Sequence, residues 1–252
     1  MRQLTLLHPI SIPKDGTTMP ATLTDALLDP ALTRDPAGPR ITWYDDATGE
    51  RIELSAVTLA NWAAKTANLL RDEIGIAPGD RVAVLLPAHW QTAAVLLGVW
   101  WAGAEAVLDA DDTDVAAALV TADGLDSDAP EVVALSLHAF GLPVPDLPLG
   151  IVDYATAVRV HGDAFSPAGA GAALSGMSVA EIATAAADAA ERSGLTAADR
   201  VLSSRTWSTA DDLVESLLAP LVAGASLVQV AHPDPDRQER RVETEKVTRS
   251  LS

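Results

Sequence analysis

One run of elements occurs twice in this chain, and that repeat constrains the fold more than any other feature. Residues 55–108 read as an amphipathic helix, a polar turn, a buried strand, a second helix, Ala-Gly-Ala and a short apolar strand; residues 178–230 read the same way. In the first copy Leu59, Trp62, Thr66, Leu69 and Leu70 share one helical stripe, Ser55 serves as N-cap and Gly75 as the stop. A polar turn then leads into the apolar run 82–86, a helix over 89–102 and the run 106–108. In the second copy Ser178 and Glu181 form a capping box and Gly194 ends the helix. A strand, a helix opened by Ser208 with Asp211 behind it, and the run 226–230 complete that copy. Each copy holds a βαβ unit whose strands lack polar alternation, as in parallel sheets covered on both faces. The expected class is α/β: two similar halves, parallel sheets flanked by helices, right-handed crossovers.

Between the copies an acidic stretch (Asp109, Asp111, Asp112, Asp114) precedes strands at 115–121 and 131–137, a proline-rich crossing and a short helix opened by Asp153. The C-terminal segment from Pro235 to about Val247 reads as a helix capped by Asp234, with mixed charges that predict a solvated face. Residues 1–20 read as a loose extension without a secretion signal, and 21–252 as one α/β domain with halves of about 21–150 and 151–252. The charge-free window 82–104 is long enough to imitate a membrane span, but Pro87, His89, Gln91 and Thr92 interrupt it.

Composition removes several functions. With 17 basic and 35 acidic residues the net charge is −18, which repels phosphate backbones and anionic lipid, so neither nucleic acid nor membrane is expected as a partner. The absence of cysteine excludes thiolate chemistry and fits a cytoplasmic location. A phosphate-cradling loop needs glycines and a lysine, yet no lysine lies between Lys65 and Lys246. Gly169-Ala170-Gly171-Ala172-Ala173-Leu174 misses the third glycine of a dinucleotide fingerprint and reads as a flexible Ala/Gly loop. No G-x-S-x-G elbow occurs, the five histidines are scattered, and the acidic stretch lacks the glycine and glutamate of a calcium loop. No catalytic residue, metal ligand or cofactor is therefore assigned. In open parallel sheets ligands bind beyond the carboxyl ends of the strands. Those ends place His89 and Trp90 from the first copy, and Ser204, Arg205 and Trp207 from the second, at a shared crevice, with Arg205 a candidate for an anion. Trp100 and Trp101 cannot share one helix face, so one ring should meet a neighbouring element or a partner.

The stretch LSAVTLANWAAKTANLLRDEIGIAPGDRVAVLLPAHWQTAAVLLGVWWAGAEAV resembles the N-terminal part of the adenylate-forming enzymes, the AMP-dependent acyl-CoA synthetases and ligases. GLTAADRVL, LLAPLVAGASLV and DPDRQERRVETEKVT resemble their next stretch, so the likeness runs from about Ala21 onward. It implies their N-terminal α/β fold. The family's Ser/Thr/Gly loop closing in Pro-Lys should fall just before the Ser178 helix, where this chain has SPAGAGAALSGMS, without threonine or lysine. Their His-containing aromatic segment is matched only by SRTWS, and the chain stops where their adenine-binding half begins. The chain is thus similar to short bacterial homologues that keep this front portion. The resemblance implies a non-catalytic derivative that binds a protein partner or a small-molecule ligand. The alternatives are a half-enzyme for carboxylate adenylation completed by another polypeptide, or an unrelated flavodoxin-like binding module.

Overall fold

A computed structural model describes residues 21–251; the N-terminal extension expected over 1–20 lies outside them. Thr22 and Asp25 form a capping box that opens α1 (Leu23–Arg34). The hairpin β1 (Pro39–Asp45) and β2 (Glu50–Ser55) follows. Ser55 Oγ then accepts from Thr58 N at 3.2 Å and starts α2 (Ala56–Leu69), which ends in a π-helical turn over Leu70–Ile74. Next come β3 (Arg81–Leu85), α3 (Trp90–Trp101), β4 (Glu105–Val107), β5 (Ala117–Val120), β6 (Glu131–Ala134) and β7 (Val152–Asp153). Asp153 caps α4 (Tyr154–Ala157), as the sequence predicts. Then follow the hairpin β8 (Ala172–Leu174) and β9 (Met177–Ser178), α5 (Val179–Arg192) behind its Ser178/Glu181 box, and β10 (Arg200–Ser203). The second helix of the second copy is α6 (Ala210–Leu213), a π-helical turn over Val214–Leu218, and α7 (Ala219–Val222). The chain closes with β11 (Ser226–Ala231), α8 (Pro235–Thr244) and β12 (Arg249–Leu251).

Two sheets organise these elements. The seven-stranded sheet runs β7-β6-β5-β3-β4-β8-β9 and is parallel except for the β8–β9 hairpin. The five-stranded sheet runs β12-β10-β11-β1-β2 and is parallel except for β1–β2. Thus β1 and β2, early in the chain, join the late strands: Ile41 sits opposite Leu227, which also pairs with Val201. In return β8 and β9 extend the sheet of the first copy.

Helix α1 packs on α2, α3, α5 and α7, with Leu23, Leu27 and Leu28 fully buried. The Arg40 guanidinium, also buried, donates to the carbonyl oxygens of Leu27, Leu221 and Ala225 and so ties α1 and α7 to the five-stranded sheet. Burial, with Arg34 nearby, lowers its pKa to about 10, still well above neutrality. Helices α2 and α3 approach closely at Gly98, where a Cβ would lie 2.5 Å from Thr66 Cβ. Among the described residues no helix is long and apolar enough to cross a membrane.

One local expectation changes and two are refined. The opening of α6 is one residue later than Ser208, because Thr209 Oγ1 accepts from Asp212 N at 3.1 Å. Helix α8 is exposed along most of its length, as its mixed charges predict, but it docks at Arg241. Arg241 pairs with Asp46 and lies over the Tyr44 ring at 4.5 Å, and Glu245, just past the helix, accepts from Tyr44 and Arg51 and pairs with Arg200. The hairpin's outer face carries the complementary charges, so burying both sides leaves few ions unpaired. Burial raises the Glu245 pKa, but the bonds from Tyr44, Arg51 and Arg200 outweigh it and hold the carboxyl at about 2. Trp101 meets neighbouring elements, the first of the two outcomes expected for the Trp pair: its Nε1 donates to Asp25 at 2.7 Å and its ring stacks on Phe165. Trp100 donates to the Ala173 carbonyl at 2.8 Å.

Candidate functional site

The carboxyl ends of β1, β3, β10 and β11 meet at a crevice of about 460 Å³, lined by Trp43, Asp45, Pro87–His89, Leu137, Ser204–Thr206, Gln229 and His232 among others. His89, Ser204 and Arg205 of the sequence-derived set lie here. Trp90 and Trp207 do not. Trp207 is buried in the core, and Trp90 meets Trp62 edge-on at 5.4 Å in a different cleft.

His89 is set by two neighbours. It is the N-cap of α3, its Nδ1 accepting from Gln91 N at 3.1 Å, and its ring meets Trp43 edge-on at 4.2 Å between centroids. That bond leaves the proton of the neutral ring on Nε2, which has no partner among the described residues. Burial lowers the pKa to about 3, only slightly opposed by the Asp45 charge. At neutral pH His89 is therefore a fixed neutral donor and not a proton-transfer group, since its one lone pair is already engaged.

Arg205 is differently constrained. Its Nη1 donates to Glu215 at 2.7 Å, and Asp212 lies 3.5 Å from the guanidinium. Two carboxylates thus neutralise the cation expected to receive an anion. The Arg205 carbonyl accepts from Gln229 Nε2 at 3.0 Å, which fixes that amide and leaves Gln229 Oε1 buried without a partner among the described residues. Asp45 and His232 pair at 2.9 Å on the rim.

The stretch expected to hold a phosphate loop folds otherwise. Gly171 N donates to the Gly103 carbonyl at 3.2 Å, and a Cβ at Gly103 would lie 2.2 Å from the Gly169 carbonyl oxygen. The stretch is an irregular loop, as expected, and its Gly169/Gly171 pair packs against the turn before β4. Between β8 and β9 only Ser175 and Gly176 remain, both at positive φ (51° and 74°), the backbone of a tight two-residue turn. Gly176 N donates to Glu105 Oε1 at 2.7 Å. The depression beside it, about 480 Å³, is lined by Glu105, Asp109 and Asp112 against Arg81, which is itself held by Asp112 at 2.5 Å and by Asp114 at 3.4 Å. A backbone N–H that an anion would need is bonded to a carboxylate, in an acidic setting.

Gln229, Trp43, Asp45 and His232 escaped the sequence reading. A lone glutamine inside the apolar run Ser226–Ala231 was a usable signal, because a buried polar side chain in such a strand needs a reason. Trp43 and Asp45 carried none while β1 was not known to lie beside β11.

The AMP-binding enzyme family matches residues 31–123. A TIGR03089 family protein of Mycobacterium tuberculosis is 62% identical over 244 residues, covering 93% of this chain and 100% of that one. Among solved structures, an acyl-CoA synthetase of Brucella canis is similar with a TM-score of 0.75 at 19% identity, over 91% of this chain and 46% of that one. A benzoate CoA ligase of Burkholderia xenovorans gives 0.69 at 19%, over 91% and 49%. The chain spans about half the length of these solved structures. They share its fold, which removes the flavodoxin-like alternative.

Proposed function

Because the chain belongs to the TIGR03089 family and is related to the AMP-binding enzymes, we propose that it is a non-catalytic derivative of their scaffold that binds a small ligand in the crevice between the two sheets. The observation that carries this reading is the Ser175–Gly176 turn with its N–H on Glu105. Carboxylate adenylation needs donors and a metal arranged on a triphosphate, and a cation facing the charge that develops in the transition state. At this turn the Gly176 donor is taken, the charged side chains nearby are three carboxylates against one arginine, and Arg205 is paired. Two residues that line the crevice instead keep unmet buried polar atoms, a neutral donor at His89 Nε2 and an acceptor at Gln229 Oε1. That pairing suits an uncharged polar group such as an amide, for which each unmet bond would be satisfied on binding.

Isothermal titration with magnesium-ATP, AMP and a non-hydrolysable acyl-adenylate mimic, with pyrophosphate exchange over a panel of carboxylic acids, tests the reading. No exchange and no ATP binding are expected. Exchange by the purified chain overturns it. The half-enzyme alternative draws on the matched share of the ligases, about half their length. Against it, another polypeptide would have to deliver its donors where Gly176 and Glu105 already meet. Exchange that appears only when the chain is recovered with a second polypeptide from its host would favour that alternative.

A further inference from the structure

On the other side of the Pro87–Trp90 turn lies a second cleft, of about 520 Å³. It is separate from the crevice, though the segment 137–141 walls both: Leu137 faces the crevice, and Phe140 the second cleft. Its lining combines three aromatic rings (Trp62, Trp90, Phe140) with Ile52 and Leu54, and carries two cations, Lys65 and Arg159.

The rings are unevenly covered. Trp90 is buried and its Nε1–H has no partner among the described residues, whereas Phe140 is 81% exposed at the cleft mouth. An exposed ring beside a cleft of this size gains from any flat apolar body that slides against it, at about 25 cal/mol per Å² of apolar surface covered. The cations have capacity to spare. Lys65 Nζ gives one hydrogen to the His161 carbonyl at 2.6 Å, so two of its three donors remain. Arg159 uses Nη2 on the carbonyls of Phe140 and Gly141, which pins the segment that carries the exposed ring. The one carboxylate in the lining, Glu53, is engaged by Arg51 at 2.8 Å, by Arg200 at 3.3 Å and by Thr42 at 2.9 Å. In a chain of net charge −18 this leaves a local positive excess on an aromatic floor.

We propose that the cleft between Trp62, Trp90 and Phe140 binds a small amphipathic anion, its flat apolar body against the rings and its single acidic head at Lys65. The site is independent of the crevice, so a ligand here does not require the reading given for His89 and Gln229. Affinity for the body comes from the rings, and selection for the negative head from Lys65, with Arg159 adding field at the rim.

Two probes of nearly equal shape separate these contributions: naphthalene-2-sulfonate, which is anionic, and 2-naphthalenemethanol, which is neutral. Isothermal titration, with tryptophan emission followed in parallel, should give a sulfonate about ten-fold tighter than the alcohol. Lys65→Gln should remove most of that preference while leaving the alcohol unchanged. Phe140→Ala, at a position too exposed to threaten folding, should weaken both probes. Equal affinities for the two probes, no saturable binding, or sulfonate binding indifferent to either Lys65→Gln or Phe140→Ala overturns the proposal.

Discussion

The two copies of the repeat share an order of elements but bury their second helices differently. In the first copy α3 is buried from Trp90 to Trp100 and runs without interruption between α1 and α2. In the second, the equivalent helix runs over 210–222 but widens into a π-helical turn between α6 and α7. Pro220 has no N–H to return to Ser216, and wide turns accommodate the missing bond. The difference extends to the strand ends. The first copy places an uncharged histidine under cover at the start of α3. The second places an arginine that stays partly open and is held by Asp212 and Glu215 from its own helix. One sequence pattern therefore supports a desolvated wall and a charge-paired wall of the same crevice, according to what packs behind each.

The closest-packed point of the first copy is the place to break this comparison. Gly98→Val would put a Cβ 2.5 Å from Thr66 Cβ and 3.0 Å from the Ala63 carbonyl, forcing α3 away from α2. A loss of about 3 kcal/mol is expected in denaturant titration. An unchanged midpoint would show that α3 is not locked as described.

The buried histidine gives the next effect. Its folded pKa of about 3 lies below the ordinary histidine value of 6.5, so the unfolded chain takes up a proton first. Stability should therefore fall as pH drops from about 6.5 toward 3. Between pH 7 and pH 5 the wild type should lose about 2 kcal/mol relative to His89→Asn, which retains an N-capping side chain. Glu245 does not confound this window, since its depressed pKa withdraws stability only as pH falls from about 4.5 toward 2. Parallel pH profiles for the two proteins would refute the neutral buried ring.

The smallest effect sharpens the second copy. Thr209→Ala should cost about 1 kcal/mol through loss of the α6 cap, while Ser208→Ala stays within about 0.5 kcal/mol. Thermal unfolding of both variants decides which residue opens the helix.

Legibility followed the range of the interactions. Ser55, Ser178 with Glu181, and Asp153 cap their helices as the sequence predicts, because a cap is settled within four residues. The crevice position of His89, Ser204 and Arg205 followed from the rule for parallel strands. What the local pattern missed was the pairing of Arg205, whose carboxylates look like an ordinary acidic first turn, and the fate of Trp90, which shares a segment with His89 but faces a different cleft.

By itself, then, the chain's sequence determined the class of fold, the repeated elements and the lack of a lysine where a phosphate loop belongs, all properties of short windows and residue type. Only the tertiary structure decided that β1 lies between β2 and β11, that α8 docks through buried ion pairs, and that Gly176 gives its N–H to Glu105. These depend on contacts between segments far apart in the chain. There, burial and charge compensation are set by whatever the packing brings opposite, and periodicity carries no record of it.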